Sequence, residues 1–145
     1  MERIICLAIG YLFGMFQTSY IIGKIHHMDI RQYGSGNAGT TNALRTLGKK
    51  AGAMTLIGDM LKCVIAILIV DAVFKNRYQE ILPLLGMYTA AGCVLGHNFP
   101  FYLGFRGGKG IAASAGMLLA MDWRVFLICA VIFMGLVAIP RYVSL

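Results

Sequence analysis

The sequence has few charged residues for its length. Only 13% of its 145 residues are charged, whereas 59% are hydrophobic. A water-soluble domain of this size carries roughly a quarter charged residues, and these cover its surface. The composition therefore excludes an ordinary soluble domain and indicates one membrane-embedded domain over residues 1–145.

Signatures of metal sites and of nucleic-acid binding are also missing. The four cysteines form no C-x-x-C pair, and each lies in or beside an apolar stretch, so we expect four small buried residues at Cys6, Cys63, Cys93 and Cys129. The formal net charge of +7 lies in loops between apolar blocks, which is typical of membrane proteins and argues against nucleic acid as a partner. We expect neither a metal ion nor a cofactor.

Five apolar runs predict an all-α bundle of about five short transmembrane spans, over residues 4–22, 51–74, 81–95, 111–121 and 125–139. The first run should form one retained helix, because no small-residue cleavage site closes it. The second is long enough to cross a hydrocarbon core of ~30 Å. The last two are shorter, and Asp122 and Arg124 between them favour a tight helical hairpin, since one long helix would bury both charges.

Positive charge is concentrated in alternate loops. Residues 23–50 and 96–110 hold most of the basic side chains, whereas the other connections hold Lys75 with Arg77, and Arg124 alone. The positive-inside rule predicts that the two basic loops are cytoplasmic and that the N-terminus is outside. Within the second run, Asp59 and Lys62 share a helix face; they could form a structural ion pair or the floor of a site between the loops.

The first of these loops is rich in glycine. Gly34, Gly36 and Gly39 match G-x-G-x-x-G, but a dinucleotide site is excluded because no strand precedes them. Glycine also lets successive backbone N–H groups converge on an anion. We therefore expect an anion nest here, with a flexible glycine turn as the alternative.

A short helix should follow that nest and strengthen it. It is expected to start at Thr41 or Asn42 and to end at Gly48, and its N-terminal dipole would favour an anion. Asn42, Arg45 and Lys49 would then share one face, on which Arg45 offers a planar fork for phosphate or carboxylate.

The second loop also suits a phosphate. Gly107, Gly108 and Gly110 surround Lys109, although the spacing is not that of a Walker A loop. His97 before this loop could be a base, a hydrogen-bond donor to phosphate or a structural residue. The histidine–aspartate dyad of many membrane acyltransferases is absent, since Tyr102 stands five positions after His97. A G-x-S-x-G elbow is absent too.

Both loops resemble the signatures of one family. Residues 34–45, GSGNAGTTNALR, resemble the first signature of the PlsY family, and residues 96–110, GHNFPFYLGFRGGKG, resemble its second; residues 141–145 also resemble family sequence. PlsY proteins are bacterial inner-membrane, multi-pass acyltransferases of phospholipid synthesis. The resemblance implies transfer of an acyl group from acyl phosphate to the 1-hydroxyl of glycerol 3-phosphate, giving lysophosphatidic acid.

The resemblance also implies roles for individual residues. Ser35 and Arg45 match the family's important serine and arginine, which makes them the candidate catalytic pair. The expected substrate-binding set is Gly34, Gly36, Asn37, Gly39, Asn42, His97, Arg106, Gly107, Gly108, Lys109 and Gly110. The expected partners are acyl phosphate, glycerol 3-phosphate and membrane lipid, and the oligomeric state is left open.

A third family signature has no match, so we expect the chain to be short at its C-terminus relative to the family. Two alternatives follow. The chain could be a catalytically inactive, truncated relative that only binds phosphate-bearing precursors. It could also be a small membrane transporter subunit.

Overall fold

The computed structural model of the chain describes residues 1–138, and the regular elements of that part are all helical. The prediction of an all-α fold is confirmed. The α-helices are α1 (Glu2–Gly14), α2 (Thr18–Ile25), α3 (Thr40–Leu47), α4 (Lys49–Phe74), α5 (Leu82–Asn98), α6 (Ile111–Met121) and α7 (Trp123–Ala138). Short 3-10 turns occupy Ile30–Gln32, Gln79–Ile81 and Phe101–Leu103.

The first apolar run forms two helices, so the expectation of one continuous helix over residues 4–22 is wrong. The chain leaves α1 after Gly14 and enters α2 through Gln17, whose backbone is extended (φ −102°, ψ 95°). A break at this depth exposes carbonyl groups, which need donors from elsewhere in the protein. Lys62 Nζ donates to the carbonyls of Gly14 and Phe16 at 3.0 and 2.6 Å, and the Tyr102 hydroxyl donates to that of Met15 at 2.7 Å.

The other runs form the expected helices. Pro83 lies in the first turn of α5, where its missing N–H is tolerated. Asp122 is extended (φ −154°) between α6 and α7, and its carboxylate accepts the N–H of Arg124 at 2.9 Å, so the chain turns there as expected. The α1–α2 segment and α4 are each long and apolar enough to cross a membrane, whereas α6 and α7 are shorter. The end of the fifth run and residues 141–145 lie outside the described residues.

Helices α1 and α5 pack closely through glycines. A Cβ on Gly10 or Gly14 of α1 would overlap the backbone of Thr89 or Cys93 in α5. The contact is reciprocal, because a Cβ on Gly92 of α5 would overlap the carbonyl of Leu7. Small residues bring helix backbones together in membranes, where packing replaces the hydrophobic effect as the driving force.

Gly14→Ala is therefore expected to destabilise the fold by about 1–3 kcal/mol, because the added methyl group meets backbone that cannot move aside. Thermal unfolding in detergent measures the loss. The matched control is Gly135→Ala in α7, where a Cβ would enter open space. Equal unfolding temperatures for the two variants would contradict the close α1–α5 packing.

Three of the four cysteines are buried as expected, namely Cys6, Cys63 and Cys93. Cys129 is exposed, so its expected burial is wrong. It lies on α7, most of whose described side chains face away from the other helices. An apolar run alone does not tell which face of a membrane helix meets protein and which meets lipid.

Candidate active site

The two glycine-rich loops lie at the same end of the bundle and contact each other. The Arg31 side chain donates to the carbonyl of Leu103 at 2.8 Å, and the Ala38 N–H donates to the carbonyl of Gly107 at 3.4 Å. Arg31 also pairs with Asp29 at 2.7 Å, and the hydrogen bonds from Arg31 hold the pKa of the Asp29 carboxyl below its ordinary value. The loops therefore form one polar surface.

Asn42 organises the first loop from inside. Its side chain is 1% exposed; Oδ1 accepts the N–H of Ser35 at 3.0 Å, and Nδ2 donates to the carbonyls of Ile30 and Tyr33 at 3.0 Å. Gly34, at φ +58°, packs against the same amide, where a side chain would be strained and would clash. The loop shape that presents Ser35 therefore depends on Asn42.

Helix α3 begins at Thr40, slightly before the expected Thr41 or Asn42, and ends before Gly48, which takes φ +90°. Gly39 precedes its first turn without a side-chain cap. Lys49 belongs to α4, so the face expected to carry Asn42, Arg45 and Lys49 is not formed on one helix. Arg45 is exposed in the last turn of α3.

The second loop folds back onto the end of α5. The N–H groups of Gly107 and Gly108 donate to the carbonyls of Asn98 and His97, each at 3.0 Å. Those two donors are thus used within the protein. A Cβ on Gly108 would overlap Nε2 of the His97 ring, so the glycine is what lets the loop lie against the imidazole.

A buried ion pair supports His97 from beneath. Lys62 Nζ lies 3.0 Å from Asp59 Oδ1 and 2.8 Å from His97 Nδ1, and it also donates to the two carbonyls of the α1–α2 break. All three side chains are at most 5% exposed. Because an ammonium group only donates hydrogen bonds, Nδ1 accepts and the imidazole proton lies on Nε2, beside Gly108. His97 is therefore a neutral donor at the loop surface.

A cavity of about 190 Å³ joins the two loops above this pair. The predicted site residues that line it are Ser35, Asn37, Gly39, Asn42, His97, Lys109 and Gly110. Gly34, Gly36, Gly107 and Gly108 shape the loops behind the lining, and Arg45 and Arg106 are exposed outside it.

Sequence reasoning missed part of the cavity wall. Thr40 contributes a buried hydroxyl that has no partner among the described residues, and Asn37 Oδ1 is in the same state. Leu56 of α4 and Phe133 of α7 give the cavity an apolar side. The threonine pair at 40 and 41 stands inside the first signature and was a usable signal, whereas no pattern singles out one leucine or phenylalanine among so many.

The protein-family model described as glycerol-3-phosphate acyltransferase matches residues 4–145. The chain belongs to this family. The glycerol-3-phosphate acyltransferase of Clostridioides difficile is 54% identical over 144 residues, which cover 98% of this chain and 70% of the relative. That of Lactiplantibacillus plantarum is 46% identical, covering 99% of this chain and 67% of the relative. The resemblance drawn from the two loops is thereby confirmed.

Solved family structures match the fold. The crystal structure of PlsY, an integral membrane glycerol 3-phosphate acyltransferase, in its glycerol 3-phosphate form superposes with a TM-score of 0.79 at 33% identity. The match covers 95% of this chain and 66% of that one. The lysophosphatidic acid form gives a TM-score of 0.77. The chain spans about two thirds of the length of these relatives.

Proposed function

We propose that the chain transfers an acyl group from acyl phosphate to the 1-hydroxyl of glycerol 3-phosphate and so forms lysophosphatidic acid. The observation that carries the proposal is the cavity that joins both signature loops. The related PlsY structures in glycerol 3-phosphate and lysophosphatidic acid forms support the acceptor and the product. The comparisons favour neither an inactive relative nor a transporter subunit.

The reaction needs no covalent enzyme intermediate, because acyl phosphate is a mixed anhydride with a good leaving group. The 1-hydroxyl oxygen attacks the acyl carbon, and the bond from that carbon to the phosphate oxygen breaks. The hydroxyl proton passes to the departing phosphate. The site must then hold two phosphates close together, and cations and fixed dipoles must offset their repulsion.

The cavity supplies groups for that task. Lys109 brings a positive charge to the lining, and Ser35 and Asn37 bring neutral polar groups from the first loop. The Nε2–H of His97 adds a donor that Lys62 holds in place. We assign Arg45 and Arg106, which are exposed outside the lining, to the entrance, where an incoming phosphate passes them. The apolar wall at Leu56 and Phe133 suits the start of an acyl chain.

The proposed setting is a bacterial cell membrane, crossed by about five short spans. Both loops would lie on the cytoplasmic side, where glycerol 3-phosphate is available, with the N-terminus outside. The shared location of the loops at one end of the bundle supports this arrangement. The exposed aliphatic side chains of α4 and α7 would meet lipid.

The test is lysophosphatidic acid formation by the purified chain in detergent, given acyl phosphate and glycerol 3-phosphate. We expect product, and a fall of roughly 10- to 100-fold in kcat/KM for Ser35→Ala, because one hydrogen bond to a charged group is lost. The matched control is Ser114→Ala in α6, outside the cavity lining.

Two outcomes would contradict the proposal: no product from the unsubstituted chain, or equal rates in Ser35→Ala and Ser114→Ala. Binding of both substrates without product would favour the inactive relative. Movement of substrate across a vesicle membrane without acyl transfer would favour the transporter.

A further inference from the structure

Asp59 brings a carboxylate to a cavity that otherwise suits anions. It lies in α4, is 1% exposed, and lines the same cavity as Ser35 and Lys109. The salt bridge to Lys62 at 3.0 Å compensates its charge. An ion pair with a purely structural role would not need to face the cavity. The position of Asp59 in the cavity wall therefore indicates a further role.

The two carboxylate oxygens are in different states. Oδ1 accepts a hydrogen bond from the Thr18 hydroxyl at 3.1 Å and lies 3.0 Å from Lys62 Nζ in the salt bridge. Oδ2 is buried and has no hydrogen-bond partner within residues 1–138. Buried polar atoms almost always have a partner, and a bound ligand in the adjacent cavity can supply one.

The chemistry of that partner is restricted. A carboxylate accepts hydrogen bonds and repels a phosphate, so the group that meets Oδ2 is a hydrogen-bond donor and not an anion. At the loops, Lys109 and Ser35 favour the anionic end of a ligand. A ligand with a phosphate at one end and hydroxyls at the other satisfies both requirements.

We infer that Asp59 Oδ2 accepts a hydrogen bond from a glycerol hydroxyl of the substrate, which makes Asp59 a specificity-determining residue for a polyol phosphate. The inference rests on the proposed function and deepens it. The carboxylate directs the hydroxyl end toward α4 while the phosphate stays at the loops. The salt bridge to Lys62 holds Oδ1, which leaves Oδ2 as the oxygen that can accept from the ligand.

Binding of three ligands to the purified chain in detergent tests the inference, and calorimetry is the readout. The ligands are glycerol 3-phosphate, 3-hydroxypropyl phosphate, which lacks the 2-hydroxyl, and 2-hydroxypropyl phosphate, which lacks the 1-hydroxyl. We expect at least one analogue to bind roughly 10- to 100-fold more weakly than glycerol 3-phosphate, as loss of a hydrogen bond to a charged group predicts. The weaker analogue identifies the hydroxyl.

The quantity compared between variants is the ratio of the Kd of the weaker analogue to the Kd of glycerol 3-phosphate. Asp59→Ala should bring this ratio to within about twofold of unity. Asp59→Asn should give a ratio between those of Asp59→Ala and the unsubstituted chain, because a neutral amide oxygen is a weaker acceptor. The matched control is Thr18→Val, which removes a donor to Oδ1 and leaves Oδ2 in place; its ratio should stay that of the unsubstituted chain. Since each ratio compares ligands on one variant, a general loss of affinity cancels.

An unchanged ratio in Asp59→Ala would overturn the inference. Equal binding of all three ligands by the unsubstituted chain would also overturn it, and this comparison needs no variant that could fail to fold. Lysophosphatidic acid formation with an unchanged ratio refutes the inference alone. Discrimination among ligands without any acyl transfer refutes the proposed function alone.

Discussion

Replacing Lys62 by methionine is expected to destabilise the folded chain by about 3–5 kcal/mol, because the substitution leaves Asp59 as an uncompensated buried charge. The loss extends to the α1–α2 break, where the carbonyls of Gly14 and Phe16 lose their donor. His97 loses the contact that fixes its ring. The unfolding temperature in detergent measures the effect, and the fraction of protein that stays monodisperse after heating is the readout.

The control for this prediction is Lys75→Met, since Lys75 follows the end of α4 and is exposed. A rescue variant separates charge from packing. Asp59→Asn combined with Lys62→Met leaves no buried charge and should recover part of the lost stability, which a double-mutant cycle would show as coupling. An unfolding temperature for Lys62→Met equal to that of Lys75→Met would contradict the central position of the ammonium group.

Helix positions that depend on hydropathy could be predicted from the sequence. The fourth apolar run and α6 share their bounds, Ile111–Met121, and the turn at Asp122 follows from the cost of burying its charge. The break after Gly14 could not be predicted in this way. Its carbonyls are satisfied by Lys62 and Tyr102, which are 46 to 87 residues distant in sequence. The local composition around Gly14 therefore does not indicate that such donors exist.

The candidate site was predictable where the chemistry is local. Glycines beside a lysine indicate an anion site, and Lys109 and Gly110 do line the cavity. The role of Asn42 was not predictable, because its amide bonds to Ile30, Tyr33 and Ser35 only once the loop has closed. The pairing of Lys62 with His97 likewise joins two helices whose relative placement the sequence does not state.

Replacing Lys109 by methionine is expected to lower kcat/KM for lysophosphatidic acid formation by roughly 10²- to 10³-fold, the effect of removing one charged group that stabilises the transition state in an active site. Lys109 is the one cation among the cavity-lining residues of the described part. Lys62 is nearby, but its charge is taken by Asp59 and its hydrogen bonds by buried acceptors. The two phosphates of the proposed reaction would therefore depend on Lys109 for the charge that offsets their repulsion.

The matched control is Lys50→Met, an exposed lysine in the first turn of α4 outside the lining, which should leave the rate within about twofold because surface charges interact weakly. Lys109→Arg should recover part of the rate, since it restores charge with a different shape. An unchanged rate in Lys109→Met would move the charge-compensating role to Arg45 and Arg106, which would then have to fold inward from their exposed positions. Loss of activity in Arg45→Ala together with full activity in Lys109→Met would establish that arrangement, and would place the two phosphates at the mouth of the cavity instead of inside it.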